Sequence, residues 1–84
     1  MAELPELART LITRELHAQG LFAHMGCEIL EVEAGRVTLA MDFRKEVAQQ
    51  HGFFHGGSVG FLIDNATAAA AGTTLREGQS LLTA

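Results

Sequence analysis

Between Gly57 and Thr74 the chain runs GSVGFLIDNATAAAAGTT, with Asp64 as its only charge. A stretch this poor in polar surface has few places to go: the interior of a domain, or a bilayer. The longest apolar run, Ser58 to Leu75, is interrupted by Asp64 and Asn65, which argues against a membrane span. The spacing predicts a helix from Gly57 to about Thr74. Val59, Leu62, Ile63, Ala66 and Ala70 form its apolar stripe, and Gly57, Gly60, Asp64, Thr67 and Ala71 a second stripe opposite. The helix is expected to be buried, with its one carboxylate set among very small side chains.

The preceding sequence supplies what could cover such a helix. Leu4, Leu7, Ala8, Leu11, Ile12 and Leu16 recur at helical spacing and predict an amphipathic helix over Pro5–Gln19. Pro5 suits its first turn and Gly20 the position just past its end, leaving Glu6, Arg9, Thr13 and Arg14 outward and His17 solvated. Leu21 to Gly26 reads as a connection. Cys27–Glu33 and Arg36–Phe43 then read as two strands about an Ala34-Gly35 turn. Leu30 and Val32 face inward in the first strand, and Val37, Leu39, Met41 and Phe43 share one face of the second. Arg44–Gln50 is a polar connection. The order of helix, hairpin, apolar helix and further strand predicts an α+β domain with an antiparallel sheet wrapped around a central helix. Leu81-Leu82-Thr83-Ala84 reads as the opening of that further strand, so residues 1–84 are expected to be the N-terminal portion of one domain, truncated before its last strands.

Composition narrows the function classes. With 84 residues, 48% of them hydrophobic and 19% charged, the chain is globular in type. A net charge of −4 argues against a nucleic-acid partner, which would call for a basic stripe. Cys27 is the one cysteine and has no internal partner, and the acidic N-terminus lacks the basic region of a secretory signal. Both point to the cytoplasm.

The chemistry is concentrated in Gln49-Gln50-His51-Gly52-Phe53-Phe54-His55-Gly56-Gly57-Ser58 and in Asp64-Asn65. Two glycines at a helix start allow a sharp turn and close approach to unpaired N–H groups, which suit a carbonyl oxygen gaining negative charge. A carboxylate in the body of an apolar helix is costly unless paired, hydrated or protonated, and marks a functional candidate beside a structural one. Together they point to acyl transfer or hydrolysis. Three competing motifs fall away. Gly56-Gly57-Ser58-Val59-Gly60 fits the nucleophile elbow G-x-S-x-G, yet no histidine follows His55 and the chain is too short for that fold. His51 and His55 could suggest a metal, but Gly52 between them disfavours helical pairing, and neither a metal nor another cofactor is expected. Gly56 and Gly60 match a membrane helix-packing spacing that Asp64 makes improper.

His55-Gly56-Gly57 followed by Leu62-Ile63-Asp64-Asn65-Ala66 and an alanine-rich helix resembles the hotdog-fold acyl-CoA thioesterases of the phenylacetate-degradation type. The nine-residue step from His55 to Asp64 is the most specific part, and the resemblance runs from about Leu21 to the end. It implies hydrolysis of an aryl or medium-chain acyl-CoA. Asp64 would attack the thioester or activate water, Gly56 N–H would polarise the carbonyl, and His55 would hold the turn. Gln49 would lie near the carbonyl or the attacking water. Gly57, Asn65, Thr67, Phe54 and Thr83 would line the substrate site. A threonine found one turn past the acid in some members is Ala68 here. A hydratase is disfavoured because its motifs are missing, and the alternative from another class is a non-catalytic acyl-CoA-binding or assembly module.

Geometry adds an expectation about assembly. Eight residues separate Gly56 from Asp64, which is about 12 Å along a helix and roughly 80° around it. One carbonyl cannot reach both in a single chain. A two-fold axis pairing antiparallel copies would join Asp64 of one subunit with Gly56 of the other, in a homodimer or, as the resemblance implies, a homotetramer.

Overall fold

The computed structural model describes residues 3–74. Helix α1 spans Glu6–Ala18, a short helix α2 Gly20–His24, strand β1 Cys27–Glu33 and strand β2 Arg36–Met41. A 3-10 turn covers Lys45–Val47, and helix α3 runs Gly56–Gly72. The two strands form an antiparallel sheet, so the architecture is α+β. α3 lies mainly against β2 and also touches β1 and α1. The further strand expected at Leu81–Ala84 lies outside the described residues.

The break between α1 and α2 differs from expectation. Gly20 does not end α1 but begins α2; the break is Gln19, whose backbone turns extended (φ −77°, ψ 118°). Its side chain explains the location. Nε2 of Gln19 donates to Asn65 Oδ1 at 2.7 Å, tying the α1–α2 corner to the middle of α3. Arg9 also turns inward rather than to solvent: Nε donates to the Val32 carbonyl at 3.0 Å while the guanidinium bridges Glu6 and Glu33. Leu7 and Leu11 are exposed instead.

β1 keeps its expected bounds and β2 stops at Met41, but the inward set of β1 is changed by a bulge. Ile29 pairs with Leu39 and Glu31 with Thr38, so Leu30 is an extra residue and is exposed rather than inward. An inserted residue reverses the alternation beyond it. Ile29 and Val32, three apart, therefore share the face that Val37 and Leu39 present from β2. At the hairpin turn Gly35 takes φ +74°, the left-handed region that glycine enters without a Cβ penalty. Its N–H donates to Thr73 Oγ1 at 2.6 Å, which fixes the turn to the end of α3.

α3 is not buried on all sides among the described residues. Its covered face is Ser58, Phe61, Leu62, Asn65, Ala66, Ala69 and Ala70, while Val59 and Ile63 are 42% and 61% exposed. The expected apolar stripe is thus rotated, because two polar residues face inward with their hydrogen bonds made. Ser58 Oγ donates to the Val47 carbonyl, and Asn65 Nδ2 to the Phe61 carbonyl. The stripe of Gly57, Gly60, Asp64, Thr67 and Ala71 is exposed.

The core is small. Leu16, Phe22 and Ala69 form its centre, with Ile12, Cys27, Ile29, Val37, Leu39 and Phe61 packed around them. His17 is exposed, as expected, and sets its ring edge-on to Phe22, with centroids 5.6 Å apart. Phe22 is 1% exposed and comes from the segment that reads as a mere connection. Truncating it opens a cavity in the centre of the core beside Leu16 and Ala69. Phe22→Ala is expected to cost about 3–5 kcal/mol, a large share of a small domain's stability. Urea denaturation checks this; a loss below about 1 kcal/mol would place the core elsewhere.

Candidate functional site

The site is built on the loop from Val47 to His55 and on the first turn of α3. Val47, an apolar residue inside a polar connection, is 1% exposed and anchors the loop. Its carbonyl accepts from His55 N–H at 2.8 Å and from Ser58 Oγ at 3.1 Å. Ala48 and Phe54 face each other in an isolated antiparallel bridge, and Gln49 N–H donates to the Phe53 carbonyl at 2.7 Å. Gly52, at φ +86°, makes the tight reversal between them. The Gln49 side chain completes the turn: Oε1 accepts from His51 N–H and Phe53 N–H. With the oxygen so used, Nε2 of Gln49 has no partner among the described residues.

His55 is the N-cap of α3. Its Nδ1 accepts from Gly57 N–H at 2.8 Å, which requires a bare Nδ1 and puts the neutral ring's proton on Nε2. The usual N-cap side chains do this with an oxygen; here an imidazole nitrogen does. That cap explains one glycine. A Cβ on Gly57 would stand 3.0 Å from Nδ1 and 3.3 Å from Cε1 of His55. Neither Gly56 nor Gly57 has a positive φ, so the sharp turn expected of them is made at Gly52 instead. Gly56 has open space where its Cβ would be.

The four N–H groups that lack an i→i−4 partner at the helix start divide unevenly. His55 donates to the Val47 carbonyl at 2.8 Å, Ser58 to the His55 carbonyl at 2.9 Å, and Gly57 to the His55 ring. Gly56 N–H donates to nothing among the described residues. Gly56 is exposed at the positive end of the helix dipole, where its N–H can serve as a donor for an incoming oxygen.

The remaining candidates are spread along α3. Asp64 and Thr67 are exposed two turns and more beyond Gly56, and none of the ion pairs among the described residues includes Asp64. Asp64 is therefore not the buried carboxylate expected. Asn65 points the other way, its amide spent on Gln19 and Phe61, so the described structure does not bring it to the site. Phe54 stacks edge-on against Phe43 at 5.1 Å and, with Met41, Ser58, Val59 and Leu62, lines a cleft of about 140 Å³ beside the first turn of α3. Thr83 lies outside the described residues. A larger groove, about 390 Å³, lies between α1 and α3, away from Gly56 and Asp64.

Other chemistry is weakly represented. Burial pushes the Cys27 thiol up from its ordinary value, against the lowering effect of Arg44 nearby, so it is a poor thiolate at neutral pH. Among the described residues, no three histidine, cysteine, aspartate or glutamate side chains stand together as metal ligands. No helix among them is long and apolar enough to cross a membrane. Ser58 lies within the run singled out in the sequence, but its hydrogen bond to Val47 was not legible there; the only signal for Val47 was a lone valine in a polar segment.

A small α+β unit with an open N–H at a capped helix start is the class that fold and site define. In comparison with known proteins, no family model and no curated protein matches the chain. Among solved structures, it is similar to the crystal structure of a thioesterase family protein from Silicibacter pomeroyi, with a TM-score of 0.79 and 31% identity. That match covers 83% of this chain and 52% of the other, so the chain spans about half the length of the structure it matches.

The cap predicts a graded response. His55→Ala is expected to cost about 1 kcal/mol of stability, and His55→Asn distinctly less, since asparagine also caps. Gly56→Ala is expected to leave stability unchanged or slightly raised, because its Cβ meets nothing. Equal losses for all three in urea denaturation would contradict this assignment.

Proposed function

We propose that the chain carries the reaction centre of a hotdog-fold acyl-CoA thioesterase of the phenylacetate-degradation type, hydrolysing an aryl or medium-chain acyl-CoA to the free acid and coenzyme A. The observation that carries the reading is the unengaged Gly56 N–H at a helix start capped by His55. The similarity to a thioesterase family protein supports it.

In this reading the thioester oxygen accepts from Gly56 N–H, which stabilises the negative charge that grows there as the carbonyl carbon is attacked. Asp64 supplies the attack in one of two ways. Its carboxylate adds to the carbonyl carbon, expels the thiolate and leaves an anhydride that water opens, or it takes a proton from water that adds directly, and the tetrahedral adduct then breaks its C–S bond to release the thiolate, which takes up that proton. The Nε2 amide of Gln49 is the neighbouring donor for the carbonyl or for that water. His55, spent on the cap, orients the turn and transfers no proton. Phe54 and the cleft beside it receive part of the acyl group, with Gly57 and Thr67 bordering the substrate. Asp64 and Gly56 serve one carbonyl only across a two-fold axis, so the working unit is a homodimer or a pair of dimers. The exposed face of α3, with Gly60, Ile63 and Thr67 around Asp64, supports that contact.

Asp64, exposed and outside every ion pair among the described residues, suits a second reading as well, a module that binds acyl-CoA without hydrolysing it. Thiol release from an acyl-CoA panel separates the two: release supports the enzyme, and saturable binding without release supports the module. For the enzyme, Asp64→Asn is expected to lower turnover at least about a hundredfold, the usual scale for losing an acid–base group. Near-normal turnover would overturn the role of Asp64. Mixing an Asp64→Ala chain with a chain damaged at the Gly56 turn is expected to restore part of the activity on subunit exchange. A mixture that exchanges yet stays inactive would refute the shared site.

A further inference from the structure

Ser58 is the one buried polar side chain among the described residues, 6% exposed, and the hydrolytic reading gives it no task. Its sequence setting, Gly56-Gly57-Ser58-Val59-Gly60, has the form of a nucleophile motif, but the hydroxyl points inward and donates to a buried carbonyl. That carbonyl is Val47, which also receives His55 N–H. Two donors, one at the N-cap of α3 and one inside its first turn, thus converge on the residue two positions before Gln49. The loop they close holds Gln49 through its own internal bonds to His51 and Phe53. A displacement of Val47 is therefore carried to Gln49, while His55 keeps Gly56 in place.

We infer that Ser58 is a positioning residue, whose hydroxyl sets the distance between the Gln49 amide and the Gly56 N–H by clamping Val47 to the first turn of α3. The inference rests on the thioesterase reading for its effect on turnover, but not for its effect on the loop. A hydroxyl is needed rather than mere volume, and threonine keeps that hydroxyl at a position that borders a cleft of about 140 Å³.

The test is amide hydrogen exchange on the whole chain and on its Ser58→Ala and Ser58→Thr variants, with Ser58→Cys in place of alanine should that variant not fold. Loss of the hydroxyl is expected to speed exchange of His55 and Gln49 amides roughly five- to tenfold, the factor a net hydrogen bond carries. Amides around Ala69 should keep their wild-type rates, and threonine should restore the loop. Unchanged rates at His55 and Gln49, or a uniform rise through α3 and the sheet, would overturn the inference. If the chain hydrolyses acyl-CoA, Ser58→Ala should lower kcat with little change in KM, and its effect should vanish in a Gln49→Ala background. Additive effects of the two changes would overturn the route through Gln49. A chain without thioesterase activity would instead remove the functional reading and leave the exchange result standing.

Discussion

The Val47 carbonyl is a buried acceptor, and a buried backbone group left without a donor costs roughly 1–3 kcal/mol. Two donors meet it, the His55 N–H and the Ser58 hydroxyl. This convergence closes the loop from Val47 to His55 and sets the angle at which α3 begins. The His55 ring then turns back to Gly57 N–H, and a Cβ at position 57 would crowd that ring at 3.0 Å. What remains open at the helix start is the Gly56 N–H. A single buried carbonyl thereby links an unremarkable valine to a donor that the helix start leaves free among the described residues.

Much of the architecture was legible because it depends on short-range pattern. The β1 bounds, the Ala34-Gly35 turn, the antiparallel pairing and the extent of α3 follow from alternation, turn chemistry and helical spacing. What failed depends on tertiary hydrogen bonds or on a single inserted residue. Periodicity cannot place a bulge, so Leu30 was read inward. It weighs Ser58 and Asn65 as polar, so it could not rotate α3 to put both against the core. Gln19 ends α1 because a partner 46 residues away holds its side chain. At the site, the cluster from Gln49 to Gly57 was legible, while the Val47–Ser58 clamp was not.

The exposed side of α3 carries the largest consequence. Glycine, alanine and threonine around Asp64 leave a shallow face whose carboxylate has no partner among the described residues, flanked by Val59 and Ile63. A lone chain gains little from exposing such residues. Covering them removes apolar surface from water, worth about 25 cal/mol for each Å² buried, and in the proposed two-fold arrangement would bring a second helix start toward Asp64. Packing and catalysis would then draw on the same contact.

Gly56 N–H is the most direct point of test. Backbone amide resonances can be followed while the chain is titrated with an acyl-CoA analogue that keeps the carbonyl but replaces the thioester sulfur by methylene. On the thioesterase reading the Gly56 amide proton moves strongly downfield as it takes up the carbonyl oxygen, while the Gly57 amide, already held by His55, stays near its free position. Saturation that leaves Gly56 unmoved, or an analogue that does not bind at all, would contradict it.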